Sequence, residues 1–208
     1  MKAIYLLQRR NGTASNAALA EAMSVAPASA SNMVKKLDEL RLVEHIPYQG
    51  VTLTDLGTQV ALEVLRHHRL VELFLHQALG MSWDQIHEEA DRLEHVISEQ
   101  LEDAIAASLG DPTVDPHGDP IPDKKGQIVS RGGLPLSEVP TGRPYEIVRV
   151  LAQEPARLMY LGELGLRPGT ELTLHERAPF DGPLLLSIDG ERHALAHELA
   201  AVLLVLDA

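Results

Sequence analysis

The segment His87-x3-Asp91-x2-Glu94-His95 carries two imidazoles and two carboxylates at offsets of 0, 4, 7 and 8 residues. On a helix these offsets fall within an arc of roughly 100°, so all four side chains share a face. Nitrogen and oxygen donors gathered in this way suit a divalent transition metal. His68 and Glu72 repeat the i,i+4 spacing one helix earlier. A solvated acidic helix face is the plainer reading of such residues, and an exposed His–Glu pair adds only a few tenths of a kcal/mol. His67 points away from the pair. His117 lies in a Pro/Gly-rich stretch, where packing or a turn is expected of it. His175, His193 and His197 show no ligand spacing.

The elements that must position these donors follow from periodicity and turn residues. Residues 2–10 read as a first helix and Thr13 to Met23 as a second. Pro27, suited to a first helical turn, opens a third that runs to about Leu40. In that helix Met33, Leu37 and Leu40 are expected to be buried. Pro27, Ala28, Ser29, Ser31, Asn32, Lys35 and Lys36 are left for DNA, the short polar groups for bases or phosphate and the lysines for charge. Val43–Ile46 and Val51–Thr54 read as strands around Pro47-Tyr48-Gln49-Gly50, a hairpin that presents Tyr48 and Gln49 at its tip. Three helices and a hairpin make a winged helix-turn-helix. A long helix is expected from Asp55 to Leu79. Another is expected to open at a capping box, Ser82-x-x-Gln85, and to run to about Leu109. Six of the 13 prolines lie between 111 and 140, which reads as loop and linker. Strand-like runs at Tyr145–Leu151, Glu171–His175, Leu184–Ile188 and Ala201–Leu206, with turns at Pro168-Gly169, Asp181-Gly182 and Asp189-Gly190, read as a small SH3-like β-barrel.

The fold class is therefore mainly α with small β parts. It divides into a winged helix-turn-helix (1–62), a helical metal-binding and dimerisation domain (63–126), a linker (127–140) and an SH3-like barrel (141–208). A net charge of −12 argues against a polyanionic partner until its distribution is considered. Residues 1–62 carry six basic and five acidic side chains. Residues 63–140 carry six and fifteen, and residues 141–208 six and ten. Only the first segment approaches phosphate without strong repulsion. The absence of cysteine removes disulfides, thiolate metal sites and cysteine nucleophiles, and fits a reducing cytoplasm. No apolar run has the length of a membrane helix, and the N-terminal segment lacks the pattern of a cleavable signal. A soluble, cytoplasmic protein is expected.

Pro27 to Leu37 resembles the recognition helix of the diphtheria toxin repressor family of iron- and manganese-dependent transcriptional regulators. His68-Arg69-Leu70-x-Glu72, the His87 to His95 segment and His117-Gly118-Asp119-Pro120-Ile121-Pro122 resemble its metal-binding and dimerisation region. Residues 141–208 resemble its SH3-like domain, which is related to the ferrous-iron transport accessory domain. The resemblance implies two metal sites per subunit. Asp91, Glu94 and His95 belong to one. His68, Glu72 and His87 belong to an ancillary site, aided by Glu154 of the barrel, where Arg157 replaces a neighbouring amide ligand. It also implies a Met or Asp ligand a few residues ahead of the stretch matched by Ala3-Ile4-Tyr5, and a sequence that begins at Met1 begins too late to supply it.

Asp91 stands where iron-responsive members place cysteine and manganese-responsive members glutamate. A carboxylate makes the site harder and tilts it toward manganese(II), with iron(II) as the other candidate. The resemblance implies a homodimeric, metal-activated repressor of metal-uptake genes that binds a palindromic double-stranded DNA operator, with no membrane and no small-molecule substrate. Two rivals share these residues: a hydrolase using the His/Asp/Glu cluster around an activated water, and a dimeric DNA-binding regulator indifferent to metal.

Overall fold

The computed structural model describes residues 1–46 and 48–208, so Pro47 of the expected hairpin lies outside the described residues. The chain divides into two compact units, residues 1–67 with 122–127 and residues 68–121 with 128–208.

In the first unit, α1 (Lys2–Asn11), α2 (Asn16–Ala22) and α3 (Pro27–Glu39) precede the antiparallel pair β1 (Val43–Ile46) and β2 (Gly50–Leu53), with Val43 opposite Leu53 and Ile46 opposite Gly50. The helix-turn-helix and wing expected from the sequence are present. Helix α2 starts later than Thr13, because Ala14 is drawn into a bridge with Val51 through two 2.9 Å backbone hydrogen bonds. Ser15 then caps α2 by accepting from the Ala18 amide at 3.1 Å. That bridge explains Gly50. Its φ is +121°, and a Cβ there would lie 2.2 Å from the Ala14 carbonyl oxygen.

The buried stripe of α3 is Ala30 and Val34, with Leu37 packed beside them. Met33 and Leu40 are exposed. The stripe is thus rotated from the expected Met33–Leu37–Leu40. Offsets of 4 and 7 from Ala30 satisfy the helical period equally well, and a small alanine lets α3 approach the first two helices closely.

Helix α4 (Asp55–Gln77) begins where Thr54 Oγ1 accepts from the Gly57 amide at 3.0 Å. The next helix departs from expectation. It forms as α5 (Ile86–Leu93) and, after a break, α6 (Glu99–Ser108). Among the described residues, the Ser82 side chain caps no helix, and the N-cap of α5 is Gln85. The Ser82 carbonyl accepts from Gln85 in a turn, and α5 starts one residue later. The cap that matters is Ser98, extended at φ −87° and ψ 156°, whose hydroxyl accepts from the Leu101 amide. An extended N-cap residue stops one helix and starts another.

Residues 115–122 are not the solvated loop that their composition suggests, since all but Pro116 are buried. Asp115 makes this possible: its Oδ1 accepts from the amides of His117 (2.8 Å) and Asp119 (2.9 Å). The His117 carbonyl accepts from the Val150 amide at 2.8 Å.

The C-terminal part forms a six-stranded antiparallel sheet in the order β3-β8-β4-β5-β6-β7. Its strands are β3 (Leu134–Pro135), β4 (Arg143–Val150), β5 (Glu171–Arg177), β6 (Leu184–Ile188), β7 (Glu191–Leu195) and β8 (Leu203–Asp207), with α7 (Pro155–Glu163) and α8 (His197–Ala200) in the connections. Four of the strands match the sequence reading; β3, β7 and both helices were not expected. One core joins barrel residues such as Ile147, Leu158 and Leu186 to Val71, Leu75, Trp83, Ile86 and Ala90 of α4, α5 and their connection. Among the described residues, no helix is long and apolar enough to cross a membrane.

Candidate metal centre

Helix α4 presents His68 and Glu72 on one buried face, one turn apart. Across from them α5 supplies His87 and Asp91, and its C-cap residue supplies Glu94. His68 lies between carboxylates. Its Nδ1 is 2.6 Å from Glu94 Oε2 and 3.3 Å from Asp91 Oδ1, while its Nε2 is 2.9 Å from Glu72 Oε1. His87 Nδ1 is 2.9 Å from the same Glu72 oxygen and 3.1 Å from His68 Nε2.

Three donor atoms therefore form a triangle with edges of 2.9, 2.9 and 3.1 Å. With metal–donor bonds of about 2.1 Å, an octahedron has edges of about 3.0 Å. The triangle has the dimensions of one octahedral face, and the donors fit a first-row divalent ion. Proton bookkeeping points the same way. A neutral imidazole has one N–H, yet both nitrogens of His68 face carboxylate oxygens and one also faces a second imidazole. Without a cation, extra protons must fill that position.

The residues of the sequence motif are not equivalent. Glu94 is buried, His87 is partly buried and Asp91 is half exposed. His95 lies beyond the end of α5, two-thirds exposed, with Nε2 3.4 Å from Glu94 Oε1 at the rim. The break after Leu93 turns Glu94 inward and leaves His95 outside. Glu154 is the exposed N-cap of α7, and the donor groups formed by the described residues of this unit do not include it.

A second group was missed. Glu72, Asp115 and His117 are all buried, with potential ligand atoms within 4.8 Å of one another. His117, read from sequence as a packing residue, does stack on Trp83, with ring centroids 5.4 Å apart. Its Nε2 also donates to the Trp83 carbonyl at 3.1 Å. That fixes the tautomer and leaves Nδ1 with its lone pair, the usual second contact of a metal-binding histidine. Burial lowers the His117 pKa, opposed by the Glu72 charge, the Trp83 hydrogen bond and the Asp119 charge. Burial and the charges of Asp119 and Glu72 push Asp115 well above the ordinary carboxylate range, with Arg69 opposing. For Glu72 burial acts upward, but hydrogen bonds from His68 and His87 and the charges of His68 and His117 prevail and hold it well below that range. The signal available in the sequence was Asp115-x-His117, two ligand types at i,i+2 within a Pro/Gly-rich segment.

Three family models match successive parts of the chain. Residues 1–51 match the iron dependent repressor N-terminal DNA binding domain. Residues 54–123 match the iron dependent repressor metal binding and dimerisation domain, and residues 134–206 the FeoA domain. A manganese-dependent transcriptional repressor solved in complex with manganese superposes with a TM-score of 0.89 at 35% identity, over 100% of this chain and 97% of that one. The chain belongs to the diphtheria toxin repressor family of metal-dependent transcriptional regulators. Within this family, the HTH-type transcriptional regulator MntR of Lysinibacillus sphaericus is 36% identical over 95 residues, 46% of this chain and 68% of that protein. The iron-dependent repressor IdeR of Mycobacterium tuberculosis is 32% identical over 99 residues, 48% of this chain and 43% of its own.

The family's DNA-binding unit is also recognisable. Pro27, Ala28, Ser29, Ser31, Asn32, Lys35 and Lys36 are all exposed on α3, and Asn16 of α2 donates to the Ser31 hydroxyl at 3.2 Å. Tyr48 is fully exposed at the wing tip with φ +63°, beside exposed Gln49.

Proposed function

We propose that the protein is a homodimeric, cytoplasmic repressor of metal-uptake genes, activated by manganese(II) or iron(II), that reads a palindromic DNA operator. The observation that carries this reading is the position of Glu72, whose carboxylate touches His68 and His87 and also belongs to the group with Asp115 and His117. His68, Glu72, His87, Asp91 and Glu94 would hold one ion, with His95 joining from the rim, and Glu72, Asp115 and His117 a second. The bound ion supplies positive charge among buried carboxylates, and the chain's residues hold the donors in register across α4, α5 and the 115–119 loop. An all-nitrogen-and-oxygen donor set without thiolate favours manganese(II) and admits iron(II). Relatives named as manganese-dependent and iron-dependent repressors support both metals. Glu154 enters this reading through the family resemblance alone.

In DNA binding, residues 1–62 would act as the winged helix, with the exposed face of α3 in the major groove and Tyr48 and Gln49 at the backbone or minor groove. Residues 63–126 would form the dimerisation domain and residues 141–208 the barrel, with the 127–140 linker contributing β3 to the barrel sheet. Metal switches DNA binding only if it binds the DNA-competent arrangement more tightly than the other.

The test is fluorescence anisotropy of a labelled promoter fragment from a manganese- or iron-uptake gene. It is run anaerobically at fixed salt, with EDTA, manganese(II) or iron(II). Tight binding with metal alone is expected. Equal affinity in EDTA and in metal refutes the proposal.

A further inference from the structure

Trp83 is the sole tryptophan of the chain and lies buried in the connection between α4 and α5. It meets the Glu72–Asp115–His117 group on one side, as carbonyl acceptor for His117 Nε2 at 3.1 Å and as a ring stacked 21° from parallel with the imidazole. It meets the barrel on another. The Arg167 guanidinium carbon lies 5.5 Å from the indole centroid, within cation–π range. Gly162 of α7 faces the indole so closely that a Cβ there would come within 2.9 Å of Nε1.

Gly162 has an ordinary helical backbone, so its lack of a side chain serves space and not conformation. The indole N–H is buried and makes no hydrogen bond among the described residues. A residue serving only as core filler would avoid that orphaned donor. The indole is held by packing between His117 and α7.

We infer that Trp83 is a positioning residue that couples occupancy of the Glu72–Asp115–His117 group to the seating of barrel helix α7. This rests on the reading of that group as a metal site. A metal held by Glu72, Asp115 and His117 would restrain the plane of the imidazole. The imidazole fixes the indole through the Nε2–H bond and the stack, and the indole sets how closely Gly162 and Arg167 approach. Without metal the imidazole turns more freely and α7 is held less firmly.

The experiment is hydrogen–deuterium exchange on the full chain in EDTA and in saturating manganese(II), comparing amides 158–163 of α7 with those of the β6–β7 hairpin, residues 184–195. Metal-linked stabilisation in general slows both regions alike. The coupling slows α7 by at least about five-fold more than the hairpin, the lower end of ordinary coupling between sites. Gly162→Ala, which displaces the indole, is expected to retain the manganese stoichiometry measured by calorimetry and to lose the excess protection of α7. Trp83→Leu serves the same purpose should Gly162→Ala fail to fold. Equal slowing of α7 and the hairpin in the metal-bound wild type overturns the coupling. Asp115→Asn separates the two layers: unchanged manganese stoichiometry and affinity in that variant overturns the metal reading itself.

Discussion

Replacing Glu72 by Gln tests the shared-ligand geometry. The Glu72 carboxylate is 2% exposed and lies 2.9 Å from both His68 Nε2 and His87 Nδ1. Hydrogen bonds to charged groups contribute about 1.5–3 kcal/mol each, so two stabilise by roughly 3–6 kcal/mol. Desolvating a carboxylate costs several kcal/mol. The two effects oppose each other at similar size, and Gln keeps the shape and one acceptor oxygen. Metal-free stability is therefore expected to shift by no more than about 1–2 kcal/mol. Metal binding behaves differently, because the amide oxygen lacks the full charge. Exchanging a charge-assisted contact for a neutral one loses at least about 1–1.5 kcal/mol, which is at least about five- to tenfold in affinity. Because Glu72 faces both donor groups, the weakening must appear in both manganese-binding steps of an anaerobic calorimetric titration. His87→Ala should weaken one step and Asp115→Asn the other. A Glu72→Gln protein in which one step keeps wild-type affinity refutes the shared ligand.

Gly118→Ala is expected to destabilise the protein by at least about 1–2 kcal/mol, the cost of a non-glycine residue in left-handed backbone. Gly118 has φ +81°, and its Cβ would lie 2.2 Å from the Val148 carbonyl oxygen; thermal unfolding of the metal-free protein measures the loss. Asp115 has a raised pKa in the folded protein, so the folded state binds more protons than the unfolded one above the ordinary carboxylate value of 3.8. Its contribution to metal-free stability therefore falls as pH rises from 3.8 through its folded pKa, and the stability of Asp115→Asn relative to wild type should rise over the same interval in urea melts. Lys35→Ala should weaken operator binding and reduce the magnitude of the slope of log affinity against log salt by about 0.9 if the exposed ammonium neutralises one phosphate. An unchanged slope removes Lys35 from the interface.

The folds of the two ends were legible because their signals are local: Pro27 at a helix start, the short apolar run of β6, and the Asp189-Gly190 turn. The break between α5 and α6 was hidden for a physical reason. Ile86, Ala90, Leu93, Ile97, Leu101 and Ile105 keep helical spacing straight across it, so the apolar period cannot reveal where the helix stops. Only Ser98, followed by Glu99 in the first turn of α6, marked the new start. Strand β7 was hidden because Glu191-Arg192-His193-Ala194-Leu195 is an edge that pairs with β6 alone, and an edge does not require an apolar face. Residues 115–122 were hidden because Pro and Gly signal irregular backbone, and irregular backbone is normally solvated. Here the Asp115 side chain supplies the hydrogen bonds that water would otherwise provide. That is why His117 was read as packing when it also presents a donor.

The same buried loop suggests why so costly an arrangement suits a switch. Glu72, Glu94, Asp115 and Asp119 are buried together, with Arg69 buried among them and Arg149 partly so. Arg69 reaches Asp115 at 3.7 Å and Asp119 at 3.4 Å, and donates to the Pro120 carbonyl. Arg149 of β4 pairs with Asp119. Two guanidinium groups neutralise part of this charge, and Glu72 and Glu94 face His68 and His87 instead. A scaffold rigid enough to hold those carboxylates together without metal stores the repulsion between them. A scaffold that relaxes without metal loses the register of α4, α5 and the loop. In either case the cation gains its affinity from the closed arrangement alone, which is the condition for it to shift an equilibrium. Because Asp119 is tied to β4 and His117 to Val150, the arrangement that the cation favours includes the seating of the barrel strand beside it.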